Sequence, residues 1–143
     1  GRGSYLPELQ SQVDLAGVGD VVDLVGFVTD NELRSLIHRA GCVVIPSLYE
    51  PFGIVALEAL AGGAPLIVAD TGGLAELVGG TGSALTFEPG NAHELADCIE
   101  RVLTDRELAD DLVRRGRELL EATYSWDAIA ARMVGVYHDA LGR

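Results

Sequence analysis

The sequence predicts an α/β fold in which a parallel sheet carries helices on both faces. Three observations lead there. Short apolar runs alternate with helical patterns, the runs are apolar continuously rather than at every second residue, and Gly, Pro, Asp or Thr bounds each of them. A strand wetted on one face alternates polar with apolar. A strand covered on both faces does not, and parallel sheets are covered on both faces.

The strand candidates are residues 21–28, 42–46, 65–69 and 83–87. Between the first two, Thr29-Asp-Asn-Glu32 has the spacing of a capping box, in which a hydroxyl and a carboxylate satisfy each other's backbone N–H groups at a helix start. A helix is expected over 53–61 and a shorter one over 73–78. After Phe87 the pattern changes to three consecutive helices, 91–103, 105–122 and 126–141, which make a helical C-terminal tail. Their start signals are Asn91-Ala-His-Glu94, Thr104-Asp-Arg-Glu107 and Ser125. In the middle helix Asp110–Arg114 and Asp111–Arg115 are spaced as i,i+4 ion pairs on a solvated face. Ligands of such sheets bind at the carboxyl ends of the strands. That rule places residues 27–30, 46–53, 70–73 and 87–91 along one rim.

Composition bounds the possible functions. The 143 residues suit one domain, 48% are hydrophobic and 22% charged, and a disordered chain is excluded. No apolar run approaches the ~20 residues of a membrane span. The start, Gly1-Arg2-Gly3-Ser4, lacks a signal-peptide pattern and a Met, so the reading is a piece of a longer or processed cytoplasmic protein. The net charge is −12 and every basic residue is an arginine. Such acidity argues against nucleic acid or an anionic membrane as the main partner. Cys42 and Cys98 lie in apolar surroundings and read as buried free thiols rather than a disulfide or metal pair. His38, His93 and His138 read as structural or solvated, and no metal site is expected.

The segment from Pro46 to Pro65 carries the chemistry. Glu58 lies in Gly-Ile-Val-Ala-Leu-Glu-Ala-Leu-Ala, a helix apolar on every other face and therefore expected to be buried on most sides. A carboxylate buried there needs donors, because an uncompensated buried charge costs several kcal/mol. Val55, Ile54, Ala61 and Gly62 cannot supply them. A ligand diol could, and so could a nearby backbone turn; the residues alone leave both open. Upstream, Glu50 stands on a loop stiffened by Pro51, and Gly53 lets a backbone approach a ligand. The N–H groups of Gly53, Ile54 and Val55 open the helix and form an anion site. One strand–loop–helix unit thus offers a carboxylate, a phosphate cradle and a second carboxylate.

With those residues in view, Pro46-Ser-Leu-Tyr-Glu50-Pro-Phe-Gly-Ile-Val-Ala-Leu-Glu58-Ala-Leu-Ala-Gly-Gly-Ala-Pro65 resembles the E-x7-E signature of the retaining glycosyltransferases of family 4. Val25-Gly-Phe-Val28, Ala40-Gly-Cys-Val-Val-Ile-Pro-Ser47, Thr71-Gly-Gly-Leu-Ala-Glu76, Thr81-Gly82 and Tyr124-Ser-Trp126 are similar to further stretches of that family, over about residues 1–140. The tone of the signature is closest to glycogen and α-glucan synthases. The resemblance implies the two-domain GT-B fold, of which residues 1–143 would be the Rossmann-like, C-terminal, nucleotide-sugar-binding half, truncated by its first βαβ unit. It implies that Glu50, the residue placed at the reacting sugar, binds sugar hydroxyls, and that Glu58 holds the ribose diol. Phe52 and Gly53 would offer N–H groups to the sugar, and Ile54 and Val55 would face the diphosphate. Phe27 and Val28 would lie against the nucleobase, and Gly72 and Gly73 would line the cleft.

The implied reaction is transfer of a sugar, glucose by the closest flavour, from a UDP-, ADP- or GDP-sugar to an acceptor hydroxyl with retention, without a metal or other cofactor. Glu50 and Glu58 are binding groups in this reading, not the acid and nucleophile of a glycosidase. The family also places an Arg and a Lys on the leaving phosphates. This chain has no lysine, and Gly1-Arg2-Gly3-Ser4-Tyr5-Leu6-Pro7 resembles the stretch after the second strand. The acceptor site and a catalytic His belong to an N-terminal domain outside these residues, so the piece is expected not to catalyse alone. Strand 21–28 would lack a partner, and open apolar edges invite self-association. The alternatives from other classes are a non-catalytic nucleotide-binding module and a ligand-free assembly module.

Overall fold

The computed structural model describes residues 5–142, and it divides into two compact units after Leu33. Of the N-terminal stretch matched above, Gly1–Ser4 lies outside the described residues.

The first unit holds a helix the sequence reading did not name. α1 (Leu6–Ala16) carries Pro7 in its first turn and closes on Gly17, whose N–H bonds to the carbonyls of Asp14 and Val13. Its signals were present: Pro opening, Gly ending, and Leu6, Leu9 and Val13 at helical spacing. The expected strand 21–28 is not a strand. Val21 and Val22 donate to the carbonyl of Val18 in a turn, and Gly26 at φ +66° breaks the extended run. A strand exists only as one side of a ladder, and no described segment pairs with this one.

α2 (Asp30–Arg39) begins at the expected capping box. The Thr29 N–H donates to Glu32 Oε2 at 2.8 Å, and the Glu32 N–H points back to Thr29 Oγ1 at 3.4 Å. The Thr29 N–H bond first, and then the Thr29 hydroxyl, which donates to the same Oε2 at 2.7 Å, hold the Glu32 carboxyl below its ordinary range.

The second unit contains the sheet. β1 (Val43–Ile45), β2 (Leu66–Ala69) and β3 (Leu85–Phe87) are parallel in the order β1-β2-β3, with Val44 opposite Ile67 and Val68 opposite Thr86. These are the strands expected at 42–46, 65–69 and 83–87. Side chains alternate between faces with period two, so one sheet makes two cores. On one face Ile45, Leu66 and Val68 meet Ala56, Ala59 and Leu60 of α3 (Ile54–Gly62) and Leu74, Leu77 and Val78 of α4 (Gly72–Val78). On the other, Ile67, Ala69 and Phe87 meet Cys98 and Val102 of α5 (Ala92–Thr104) and Leu112 of α6 (Arg106–Leu119). Each fully buried Leu, Ile or Val contributes about 1.5–3 kcal/mol by leaving water.

The tail departs from expectation in its joints. Asn91 caps α5 as expected, accepting from the Glu94 N–H. Thr104 caps nothing: it is the last residue of α5, and its hydroxyl donates to the Glu100 carbonyl. Asp105 caps α6 instead, accepting from the Leu108 N–H at 3.0 Å. The two helices abut with one shared residue between them, so the carboxylate one position later takes the cap. α6 does not run to 122. It gives way to a π-helical turn, Leu120–Tyr124, before α7 (Trp126–Ala140), which Ser125 caps through the Ala128 N–H. The pair Asp111–Arg115 forms at 2.7 Å, whereas Asp110 turns to Arg106 and Arg114 takes Asp111 and Glu118. Both i,i+3 and i,i+4 partners were in reach of Arg114, and spacing alone could not rank them.

Candidate functional site at the carboxyl ends of the strands

Three loops leave the carboxyl ends of β1, β2 and β3, on one edge because the strands are parallel, and hydrogen bonds to backbone carbonyls tie them together. The Gly73 N–H donates to the Glu50 carbonyl at 2.8 Å, and Thr71 Oγ1 reaches the Leu48 carbonyl at 3.3 Å. The Asp70 N–H donates to the Phe87 carbonyl at 2.8 Å.

The loop 46–53 sits directly on the start of α4. A Cβ on Gly72 would lie 2.5 Å from the Glu50 carbonyl oxygen, and one on Gly73 would lie 2.6 Å from both Phe52 Cα and the Pro51 oxygen. No side chain fits at either position. Gly72 and Gly73 therefore bear on this site as its floor: they let the loop carrying Glu50 settle onto α4. Thr81 and Gly82 are accounted for by folding too. Thr81 Oγ1 bonds the Val78 carbonyl and the hydroxyl of fully buried Ser83, at 2.7 Å each, and Gly82 lies under the Arg115 side chain.

At the head of α3 the chain turns through Gly53 at φ +90°, a left-handed value natural to glycine, and the Ala56 N–H closes the first turn onto the Gly53 carbonyl. The free donors differ from those expected. Glu50 Oε1 accepts from the Gly53 N–H at 3.1 Å and from the Phe52 N–H at 3.4 Å. The carboxylate thus occupies the two N–H groups expected to face a sugar. Ile54 and Val55, at the first two helical positions, have N–H groups with no acceptor among the described residues. Within the segments that form this head, attraction for an anion comes from backbone dipoles. Residues 46–58 and 70–76 carry Glu50, Glu58, Asp70 and Glu76 and no arginine.

Glu58 requires a correction. The expectation was a buried carboxylate in want of donors; in the structure it is exposed. α3 buries only the face of Ala56, Ala59 and Leu60. Ile54, 61% exposed, and Val55, 46% exposed, lie with Glu58 one turn apart on the open face. An apolar sequence makes a helix able to be buried all round, but what covers it is set by its neighbours, and none of the described residues of this unit covers that face. Water satisfies the Glu58 carboxylate, so the energetic demand for a diol disappears. Its placement does not: it stands on the open face below the free N–H groups of the helix start.

Phe27 and Val28 belong to the first unit, in irregular backbone, with Phe27 63% exposed. His38, His93 and His138 are exposed, Cys42 is half-buried and Cys98 buried, and burial raises both thiols above their ordinary pKa. Among the described residues no group of three His, Cys, Asp or Glu could hold a metal ion, and no helix is long and apolar enough to cross a membrane. Sequence reasoning missed the tie between the 46–53 loop and α4. The paired glycines after β2 were its signal, since two adjacent positions without Cβ mark a close backbone approach.

Comparison with known proteins bears on this architecture. The model of the family "Glycosyl transferases group 1" matches residues 1–119. The glycogen synthase of Mycobacterium tuberculosis is 39% identical over 113 residues, which are 79% of this chain and 27% of that protein. Sucrose-phosphate synthase from Thermosynechococcus elongatus superposes with a TM-score of 0.83 at 36% identity, over 98% of this chain and 35% of that one. Anabaena HepE, solved in complex with UDP-glucose, gives a TM-score of 0.83 at 26% identity, over 97% of this chain and 38% of that one. The chain thus spans 27% to 38% of the length of these proteins. Its parallel sheet and flanking helices are those of the C-terminal domain of GT-B glycosyltransferases. The chain belongs to the group 1 glycosyl transferases.

Proposed function

We propose that this domain holds the donor of a retaining glycosyltransferase: it binds a nucleotide-sugar, glucose being the sugar, and presents the anomeric carbon to an acceptor hydroxyl. The observation that carries the reading is the head of α3, where two unclaimed helix N–H groups, Ile54 and Val55, lie between a carboxylate on the preceding loop and a carboxylate on the next turn. A diphosphate between a ribose and a sugar presents its groups in that order. Anions are favoured at helix starts because the N–H dipoles point at them. The complex of the similar Anabaena protein with UDP-glucose supports a uridine donor, and the glycogen synthase relative supports glucose.

In the reaction the bond from C1 to the diphosphate oxygen breaks, and a bond from C1 to the acceptor oxygen forms on the same face. The acceptor proton leaves with the departing diphosphate. Charge develops on the diphosphate, which is where the Ile54 and Val55 N–H groups act. Glu50 takes sugar hydroxyls and Glu58 the ribose diol. No metal or other cofactor takes part.

Titration calorimetry and thermal shift with UDP, ADP and GDP, free and as glucose conjugates, test the reading. A ligand at a hundred times its Kd should stabilise the chain by ~2.7 kcal/mol. UDP-glucose should bind, and Glu58→Gln should weaken it about tenfold through loss of a charged acceptor. Absence of binding by every nucleotide would sink the proposal. Equal binding by Glu58→Gln would remove the ribose role from Glu58.

A further inference from the structure

The same carboxylate that the proposed function assigns to the donor sugar is, in this structure, bound to its own loop. Glu50 Oε1 fills the positions in front of the Phe52 and Gly53 N–H groups, at 3.4 and 3.1 Å. A sugar hydroxyl and this carboxylate cannot both take those donors. One must leave before the other arrives.

Which part can move follows from the packing. The backbone of residues 50–53 is pinned from below. The Glu50 carbonyl accepts from the Gly73 N–H, Thr71 holds the Leu48 carbonyl, and the loop lies so close on Gly72 and Gly73 that neither has room for a methyl group. Gly53 is buried against Leu74, 3.1 Å from where its Cβ would be. Of the two partners in those bonds, the one able to move is the Glu50 side chain, half-buried and making no other hydrogen bond among the described residues. The N–H groups stay aimed as they are.

We infer that Glu50 is a latch on the donor pocket: its carboxylate closes the Phe52 and Gly53 N–H groups in the free domain, and the sugar of a nucleotide-sugar, but not the bare nucleotide, displaces it. This rests on the donor-binding reading above. A nucleoside diphosphate reaches the Ile54 and Val55 N–H groups without touching the latch. A sugar brings hydroxyls that replace both partners at once, since its oxygens accept from the freed N–H groups while its O–H groups donate to the released carboxylate. Every donor and acceptor is then satisfied in both states, so the exchange leaves no buried group unpaired. The sugar is thereby read by whether it can open the latch, and a nucleotide without one leaves the pocket closed.

The experiment records backbone amide resonances of the whole chain, free and saturated with UDP or UDP-glucose, for wild type, Glu50→Ala and Glu50→Gln. In the free wild type the Phe52 and Gly53 amides should show the downfield position of N–H bonded to a carboxylate. Glu50→Ala should shift them strongly upfield and Glu50→Gln less. UDP should perturb Ile54 and Val55 while leaving Phe52 and Gly53 in place, and UDP-glucose should move all of them. By calorimetry, Glu50→Ala should leave UDP affinity within about twofold and cost UDP-glucose about tenfold or more. Identical Phe52 and Gly53 amides in free wild type and in both variants, with UDP-glucose still bound, overturn the latch and leave the donor reading standing. Equal displacement by UDP overturns the role of the sugar. If no nucleotide moves any of these amides while the free-state shifts appear, the opening step falls together with the donor reading.

Discussion

α3 and α6 lie against each other, and their solvent faces could hardly differ more. α6 turns Leu112 inward and covers its outside with charge: Asp111 pairs with Arg114 and Arg115, Arg114 with Glu118, and Arg106 with Asp110. α3 buries Ala56, Ala59 and Leu60 and leaves Ile54 and Val55 exposed beside one carboxylate that has no partner among the described residues. Packing and ion pairing account for the two faces of α6. Packing accounts for half of α3. Apolar side chains on an open face oppose solubility and add nothing to the fold, and large exposed apolar patches mark sites of interaction. The contrast separates a helix shaped only to fold from one shaped also to be met by something else.

Several substitutions press on that contrast. The largest effect on stability should come at the seam itself. Leu60 is almost fully buried in the α3 core, and the Gly116 Cβ position lies 2.7 Å from its Cδ2. Leu60→Ala should cost about 2–5 kcal/mol in denaturant unfolding, because it removes contacts to the sheet and to α6 together. A loss under ~1 kcal/mol would show that the seam repacks. Next comes Gly73→Ala, whose methyl would meet loop backbone at 2.6 Å rather than a movable side chain. Overpacking of this kind should cost about 1–3 kcal/mol, and it should weaken nucleotide-sugar binding as well, since it lifts the loop bearing Glu50. Unchanged binding alongside lost stability would detach the floor from the site.

Smaller effects belong to α6. Asp105→Ala removes its N-cap and should cost about 1 kcal/mol, whereas Thr104→Ala should cost less because that hydroxyl only bonds back within α5. A reversed order would restore Thr104 as the cap. Hydrogen bonds from Arg114 and then Arg115 hold the Asp111 carboxyl below its ordinary range. A lowered carboxylate stabilises the fold above its unfolded pKa and loses that contribution as pH falls through the folded one. The stability gap between wild type and Asp111→Asn should therefore be open at neutral pH and close on acidification. A gap that does not change with pH would mean the pairs carry no stability. Smallest of all is Glu58→Gln, expected to move stability by no more than about 0.5 kcal/mol, since the group is exposed. A large loss there would make Glu58 structural and erase the contrast with α6.

Much of the fold could be read directly. The strands 43–45, 66–69 and 85–87 lie within continuously apolar runs, and such runs have one stable setting, the interior of a covered parallel sheet. Asn91, Ser125 and the Thr29–Glu32 box act where they were expected to, because a cap is a local arrangement of neighbours in sequence. The stretch 21–28 was misread for the complementary reason. Its composition is that of a strand, but a strand is a relation between two segments, and Gly26 and the turn at Val18 prevail where no partner is present.

The site divides along the same line. The order Glu50, Gly53, Glu58 and the family to which it belongs were legible, since both depend on residue identity and spacing. Exposure was not. An all-apolar helix states that it can be buried and leaves unsaid which faces find neighbours, so Glu58 was placed in the interior and stands in water. Nor could spacing show that Glu50 turns onto the Phe52 and Gly53 N–H groups, or that Gly72 and Gly73 lie empty so that this loop can rest on them. Those are meetings between segments some twenty residues apart or rotamers chosen among local partners. Residue types and their period determined the sheet, its helices and the chemistry on offer at the rim. Packing decided which of those groups are covered, which are open and which already hold one another.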